Sequence, residues 1–230
     1  WIDIANANIF TDRLKNPITN IDGKGQLLRN RLTFENLNGN MNKPLENQKE
    51  KNIFITGSMD MTKFFEPYFD VWITGKSIYF EAIQEELKGS VDLDVKMKGT
   101  DDITISGKIP IIDVELFKEF TSSSLPGTFS KDDRVSINYK INFPITEQFI
   151  LLNNQIDASL GGDISIIKNG ISETDFSGEL IFKKGKLYYS GDIFTITEGY
   201  LIFDKIGFNP YFDMTAYTTI DDEQIDISFT

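Results

Sequence analysis

Three acidic clusters hold the residues whose types and spacing could do chemistry: Asp101-Asp102, Asp132-Asp133 and Asp221-Asp222-Glu223. Two facing carboxylates, one with a raised pKa, can serve as the acid and base of glycoside hydrolysis. Carboxylates at fixed loop spacing can hold calcium. None of the three clusters follows the Asp-x-Asp-x-Asp-Gly pattern, and each falls between runs that read as strands. They read as solvated turns. The rest of the inventory is short, because the chain has no His and no Cys. That excludes a Ser-His-Asp triad, a Cys-His pair, a haem His ligand, a Cys/His zinc site and any disulfide. The strings Gly23-Lys24-Gly25 and Leu160-Gly161-Gly162-Asp163 lack the Lys-Ser/Thr and the following helix of a phosphate loop. Trp1, Trp72 and the tyrosines could form the stacking platform of a carbohydrate-binding sandwich, but strand aromatics more often fill a core. The expectation is a protein that is not an enzyme and uses no cofactor and no metal.

The elements that must position any site are strands. Of 230 residues, 32 are Ile, 19 Phe and 8 Tyr, but only 5 are Ala. Ile and aromatics suit strands, and Ala is the best helix former, so the composition reads as all-β. Forty per cent apolar residues suffices for a core. The formal charge of −12 would repel a phosphate backbone or an anionic lipid surface, so no nucleic-acid partner is expected. No apolar run approaches the ~20 residues of a spanning helix. The chain opens at Trp1 without a Met and stops at Thr230 inside an apparent strand, so it reads as a fragment of a longer protein.

Strict alternation sets the faces. Val91, Leu93, Val95 and Met97 point one way, and Asp92, Asp94, Lys96 and Lys98 the other. Val135, Ile137, Tyr139, Ile141 and Phe143 share a face, as do Ile103, Ile105, Ile109 and Ile111. Phe212, Met214 and Ala216 form another such set, and Ile225, Ile227 and Phe229 another. Gly- and Asp-rich turns separate the runs at hairpin spacing. Helical spacing of Val114, Phe117 and Phe120 predicts a short helix over Asp113–Thr121, with a single turn over Glu81–Leu87. Pro67 predicts a loop or an edge. The chain also repeats itself: Ser106-Gly107 and Ser177-Gly178 open similar strands 71 residues apart.

About fifteen one-sided strands could form a sandwich, a barrel or one long sheet folded lengthwise around an apolar trough. Periodicity alone leaves all three open. The inward residues are Ile, Phe, Leu and Met without a polar group to orient a ligand, which fits plain core or a non-selective apolar channel.

The C-terminal part resembles the TamB family of AsmA-like proteins. The likeness lies in the strand pair at Ile156 to Ile166, the hairpin series at Ser177 to Phe203, and the Asn-Pro strand at Asn209 to Ala216. It is good over Gly89 to Thr230 and loose over residues 1–88, which include an exposed loop near residues 42–52. The resemblance implies one continuous, elongated, repeat-built sheet folded lengthwise, a β-taco, enclosing a hydrophobic groove. It implies a non-enzymatic segment of a periplasmic bridge carrying phospholipid to the outer membrane, with an inner-membrane anchor N-terminal to this piece. It also implies an Omp85-type barrel partner, and hence an alternative role as an assembly module that docks by strand addition. The groove lining it implies is Ile164, Ile166, Leu180, Phe182, Leu187, Phe194, Ile196, Leu201, Phe203, Phe212 and Met214. Val91, Leu93, Val95, Met97, Ile103, Ile105, Val135, Ile137, Ile225 and Ile227 extend it.

Overall fold

The computed structural model describes residues 1–12, 14–43, 50–82, 87–117, 136–204, 210–220 and 222–229. Among these residues there is no helix. The strands are β1 (Ile2–Ile9), β2 (Ile18–Leu28), β3 (Arg31–Asn40), β4 (Ile53–Asp60), β5 (Tyr68–Glu81), β6 (Leu87–Gly99) and β7 (Asp102–Lys108). They continue as β8 (Ile111–Phe117), β9 (Ser136–Leu152), β10 (Ile156–Lys168), β11 (Asp175–Tyr189), β12 (Asp192–Phe203), β13 (Tyr211–Ile220) and β14 (Glu223–Phe229). All belong to one 14-stranded sheet. Sequence neighbours pair antiparallel almost throughout, as short connections require. Among the described strands β1 and β14 are the two edges, so their ladder does not close into a barrel, and they form no second sheet.

The order departs from a simple meander at β7 and β8. Both pair β6 antiparallel and β9 parallel. Lys108 stands opposite Asn142 and Ile111 opposite Ile145, so the two short strands form one lane interrupted at Ile109-Pro110. Pro110 has no N–H to give a ladder. Its carbonyl still accepts from the Asp92 N–H at 2.9 Å, and the Ile109 N–H donates to the Asn142 carbonyl at 2.9 Å.

The short helix expected over Asp113–Thr121 is corrected by this lane. Ile111–Phe117 is strand, with Val114 buried and Asp113 exposed. Hydrogen bonding to neighbours on both sides overrides an ambiguous local spacing. Residues 118–121 lie outside the described residues, as do residues 83–86 of the expected single turn. Pro67 sits in the β4–β5 connection, where a loop was expected.

The repeated Ser-Gly pairs perform the same task in two hairpins. Gly107 on β7 has φ of 146°, and a Cβ there would lie 2.0 Å from the Asp94 carbonyl oxygen on β6. Gly178 on β11 has φ of 126°, and its Cβ would lie 2.2 Å from the Asp163 carbonyl oxygen on β10. Each glycine lets two backbones approach more closely than a Cβ would allow. Gly178→Ala should therefore lower stability by at least about 2 kcal/mol. The exposed neighbour Ser177→Ala should stay within about 0.5 kcal/mol of the parent. Urea midpoints of both variants check this, and equal midpoints would mean that the close approach does not require glycine.

Apolar side chains on one face gather into two packed groups. One spans β9 to β13 and includes Leu160, Leu180, Phe182, Met214 and Ala216. The other joins Ile53, Ile78, Val91 and Val114 of β4, β5, β6 and β8. Phe149 of β9 packs against both. The sheet curls toward this face. The rings of Tyr189 on β11 and Phe229 on β14 have centroids 5.6 Å apart. Three lanes of a flat sheet would separate them by at least roughly 14 Å, and their rows meet β12 at Asp192 and Gly199, well apart along the strand. In the N-terminal part, Leu14 before β2 bridges to Ala82 after β5, and the Lys15 N–H donates to the Glu81 carbonyl at 2.8 Å.

Candidate functional site

Strand registers carry the alternation from lane to lane. One row of paired residues runs Leu37, Ile55, Ile73, Val95, Gly107, Ile141, Ile166, Phe176, from β3 to β11. A second runs Ile78, Val91, Ile111, Ile145, Gly162, Leu180, Leu201, Phe212, from β5 to β13. A slip of one residue in any strand would turn its contribution to the opposite face. The continuity of these rows makes the face a single apolar surface rather than a set of separate stripes.

The sequence-predicted lining divides along this surface. Leu180, Phe182, Leu187, Phe194, Ile196, Phe203 and Met214 are buried in the C-terminal packed group, and Ile164, Leu201, Phe212 and Ile227 pack against it. Val91 is buried in the other group, with Leu93 packed against it. Val95, Met97, Ile103, Ile105, Ile137 and Ile166 are half-buried and belong to neither group. They lie toward the Gly99 end of β6. Ile225 on β14 is 42% exposed. Val135 lies outside the described residues. The apolar face is thus packed near the start of β6 and half-exposed near its end.

Several residues of this face are not singled out by the sequence reading. Ile156, Ala158 and Leu160 are buried on β10 and keep the same alternation, so periodicity could have found them. Ile21 and Leu37 are harder. The β2–β3 register shifts between Thr19 and Asp22 and again between Asp22 and Gly25, and such bulges break the phase of the sequence.

By register Lys168, opposite Tyr139, and the strand-end residues Asp192 and Glu223 share the apolar face, whereas the inter-strand ion pairs keep to the other. Lys98 pairs with Asp70 at 3.5 Å, and Lys88 with Glu115 at 3.1 Å. On their strands these residues alternate with Met97, Val71, Gly89 and Val114. The Asp70 charge holds the Lys98 ammonium above its ordinary range, and the hydrogen bond that Lys88 donates to Glu115 does the same for Lys88. A lysine pKa raised on folding stabilises below its unfolded value and loses that contribution as pH rises through the folded one. Both windows are alkaline, so neither pair switches near neutrality. Asp101 and Asp102 are exposed at the β6–β7 turn, and Asp222 and Glu223 at the β13–β14 turn. Asp132, Asp133 and Asp221 lie outside the described residues. No group of three or more acidic residues among the described residues could hold a metal ion.

Fold and face together define a class: among the described residues, an open, strand-only sheet with one continuous apolar face and ion pairs on the other. The chain belongs to the TamB family. The model of the TamB C-terminal domain matches residues 41–230, which takes in residues 41–88 as well as the motifs further on. No curated protein gives a significant match. Membership suggests a role in outer-membrane assembly or lipid transport.

Proposed function

We propose that the chain is a non-enzymatic segment of a bridge-like lipid-transfer protein, conducting phospholipid along its apolar face across the periplasm to the outer membrane. The sheet folds lengthwise around that face as a β-taco. Residues 1–88 form the upstream part and residues 89–230 the C-terminal-like part of one continuous structure. An N-terminal anchor outside this piece holds the full-length protein in the inner membrane, and an Omp85-type barrel is its outer-membrane partner.

The observation that carries this reading is the half-buried set Val95, Met97, Ile103, Ile105, Ile137 and Ile166, on a face free of the ion pairs that cover its reverse. Each CH₂ sheltered there contributes about 0.8 kcal/mol, so part of one acyl chain suffices for binding. Apolar burial has no direction, so a tail can slide from one row to the next without breaking any particular bond. Native mass spectrometry of the purified chain, with lipid extraction, tests the reading. A folded chain that carries no phospholipid and takes up none would remove it.

A second reading has its own support. Among the described residues β1 and β14 each pair on one side only, leaving backbone donors and acceptors available there for strand addition to a barrel protein. A proline on β14, at a residue whose N–H faces away from β13, should leave lipid capture unchanged and reduce binding to an Omp85-type barrel. Co-purification with the barrel reads the difference. Unchanged barrel binding would exclude that edge.

A further inference from the structure

Two neighbouring turns at the Gly99 end of the sheet expose apolar side chains that core packing does not explain. The β2–β3 turn presents Leu27 and Leu28, the latter 67% exposed. The β4–β5 connection presents Phe64 and Phe65, 72% and 94% exposed. These turns are held together. The Met61 N–H donates to the Asn30 carbonyl at 2.6 Å, and the Arg31 guanidinium donates to the Ser58 hydroxyl at 2.8 Å. Asp60 fixes the second turn by accepting from the Thr62 N–H at 2.9 Å and its hydroxyl at 2.6 Å. The two Phe rings meet edge to face, 5.4 Å between centroids. Between the turns lies a cleft of about 370 Å³ whose lining includes Arg29, Asn30, Arg31, Asp60 and Thr62.

We propose that this double turn inserts into the surface of a phospholipid bilayer, with Leu28, Phe64 and Phe65 among the acyl chains and Arg29 and Arg31 at headgroup phosphates. Three observations favour a bilayer over a protein partner. The apolar atoms sit on the tips of two turns and belong to four side chains, against the roughly 20–30 residues a side of a stable protein interface. A fluid bilayer accepts such a wedge without a matching shape.

Charge is the second. The chain carries −12 overall, yet the double turn sets Arg29, Arg31 and Lys63 against Asp60, Glu66 and the neighbouring Asp101, whose charge acts on Lys63, so the tip is close to neutral. The tip escapes the repulsion that the rest of the surface would meet, and insertion rather than net attraction holds it. Position is the third. Phe69 of β5 pairs with Gly99, and Met97 pairs with Ile105, so the tip adjoins the half-buried part of the apolar face. A tail drawn from the bilayer at this point would meet that face directly. This last link rests on the conduit reading; the insertion does not.

The chain has no Cys, so single labels are clean. Phe65→Cys and, at the opposite end of the sheet, Ser190→Cys would each carry an environment-sensitive fluorophore. Phosphatidylcholine–phosphatidylethanolamine vesicles are the probe surface. The label at position 65 should shift to the blue and be quenched by spin-labelled lipids, and the label at position 190 should do neither. The unlabelled Phe64→Ser/Phe65→Ser variant should float with these vesicles at least about tenfold more weakly than the parent, with an unchanged melting profile. Parent flotation should persist at high salt. A parent that does not float, a label at position 65 that stays water-like on bound vesicles, or a double variant that floats like the parent would each overturn the proposal. Insertion at position 65 by a chain that carries no lipid would remove the conduit reading and leave this one standing.

Discussion

Met214→Asp will abolish cooperative unfolding, whereas Met214→Ala will keep the fold at a cost of about 2–5 kcal/mol. Met214 is 1% exposed. It lies on β13 opposite Gly199 of β12 and Phe229 of β14, and a Cβ on Gly199 would lie 3.2 Å from its Cγ. The site is filled and apolar on every side. An unpaired carboxylate there costs several kcal/mol, against a total stability of about 5–15 kcal/mol for an ordinary domain. Urea titration followed by circular dichroism decides the outcome. An Asp variant that unfolds like the parent would mean that water reaches Met214, and that this stretch of the face is a solvated channel rather than core. Phe203, also buried, carries the same expectation. Charges at either position therefore report on folding before they report on any cargo.

The run from Ser90 to Gly99 shows what was legible. Its alternation of Val91, Leu93, Val95 and Met97 with charged residues survives intact in β6, because one sheet face is apolar and the other wet. Met97 and Met214 show what was not. Both alternate with polar neighbours, yet one is half-buried and the other almost fully enclosed. The difference comes from the curl that brings Phe229 over to Tyr189, and curvature arises from contacts between distant strands, not from local period. The β7–β8 lane was illegible for a related reason. Pro110 ends a local ladder, and only the pairing of both pieces with β9 shows that the lane continues. Phe64 and Phe65 were legible in part: Pro67 marks the loop, but only the strand boundaries at Asp60 and Tyr68 and the packing around them show that both rings stay exposed.

Ile105→Asp combined with Ile137→Asp will give a folded chain that has lost most of its bound phospholipid. Ile105 pairs with Met97 on β6 and Tyr139 on β9, and Ile137 pairs with Ile103. All are half-buried, so a carboxylate at either position can keep part of its hydration and the fold is spared the cost expected at Met214. A bound tail has no such escape. Keeping three methylenes clear of the hydrated carboxylates forfeits about 2–3 kcal/mol, roughly a 50-fold loss of occupancy. Thr104→Asp supplies the control, exposed on the opposite face one residue away from Ile105, and should leave lipid content unchanged. Native mass spectrometry and lipid extraction on the three chains read the result. Equal lipid in the double variant and the parent would show that acyl chains do not lie on this face. The edges at β1 and β14 would then be the better account of what the sheet presents to its partners.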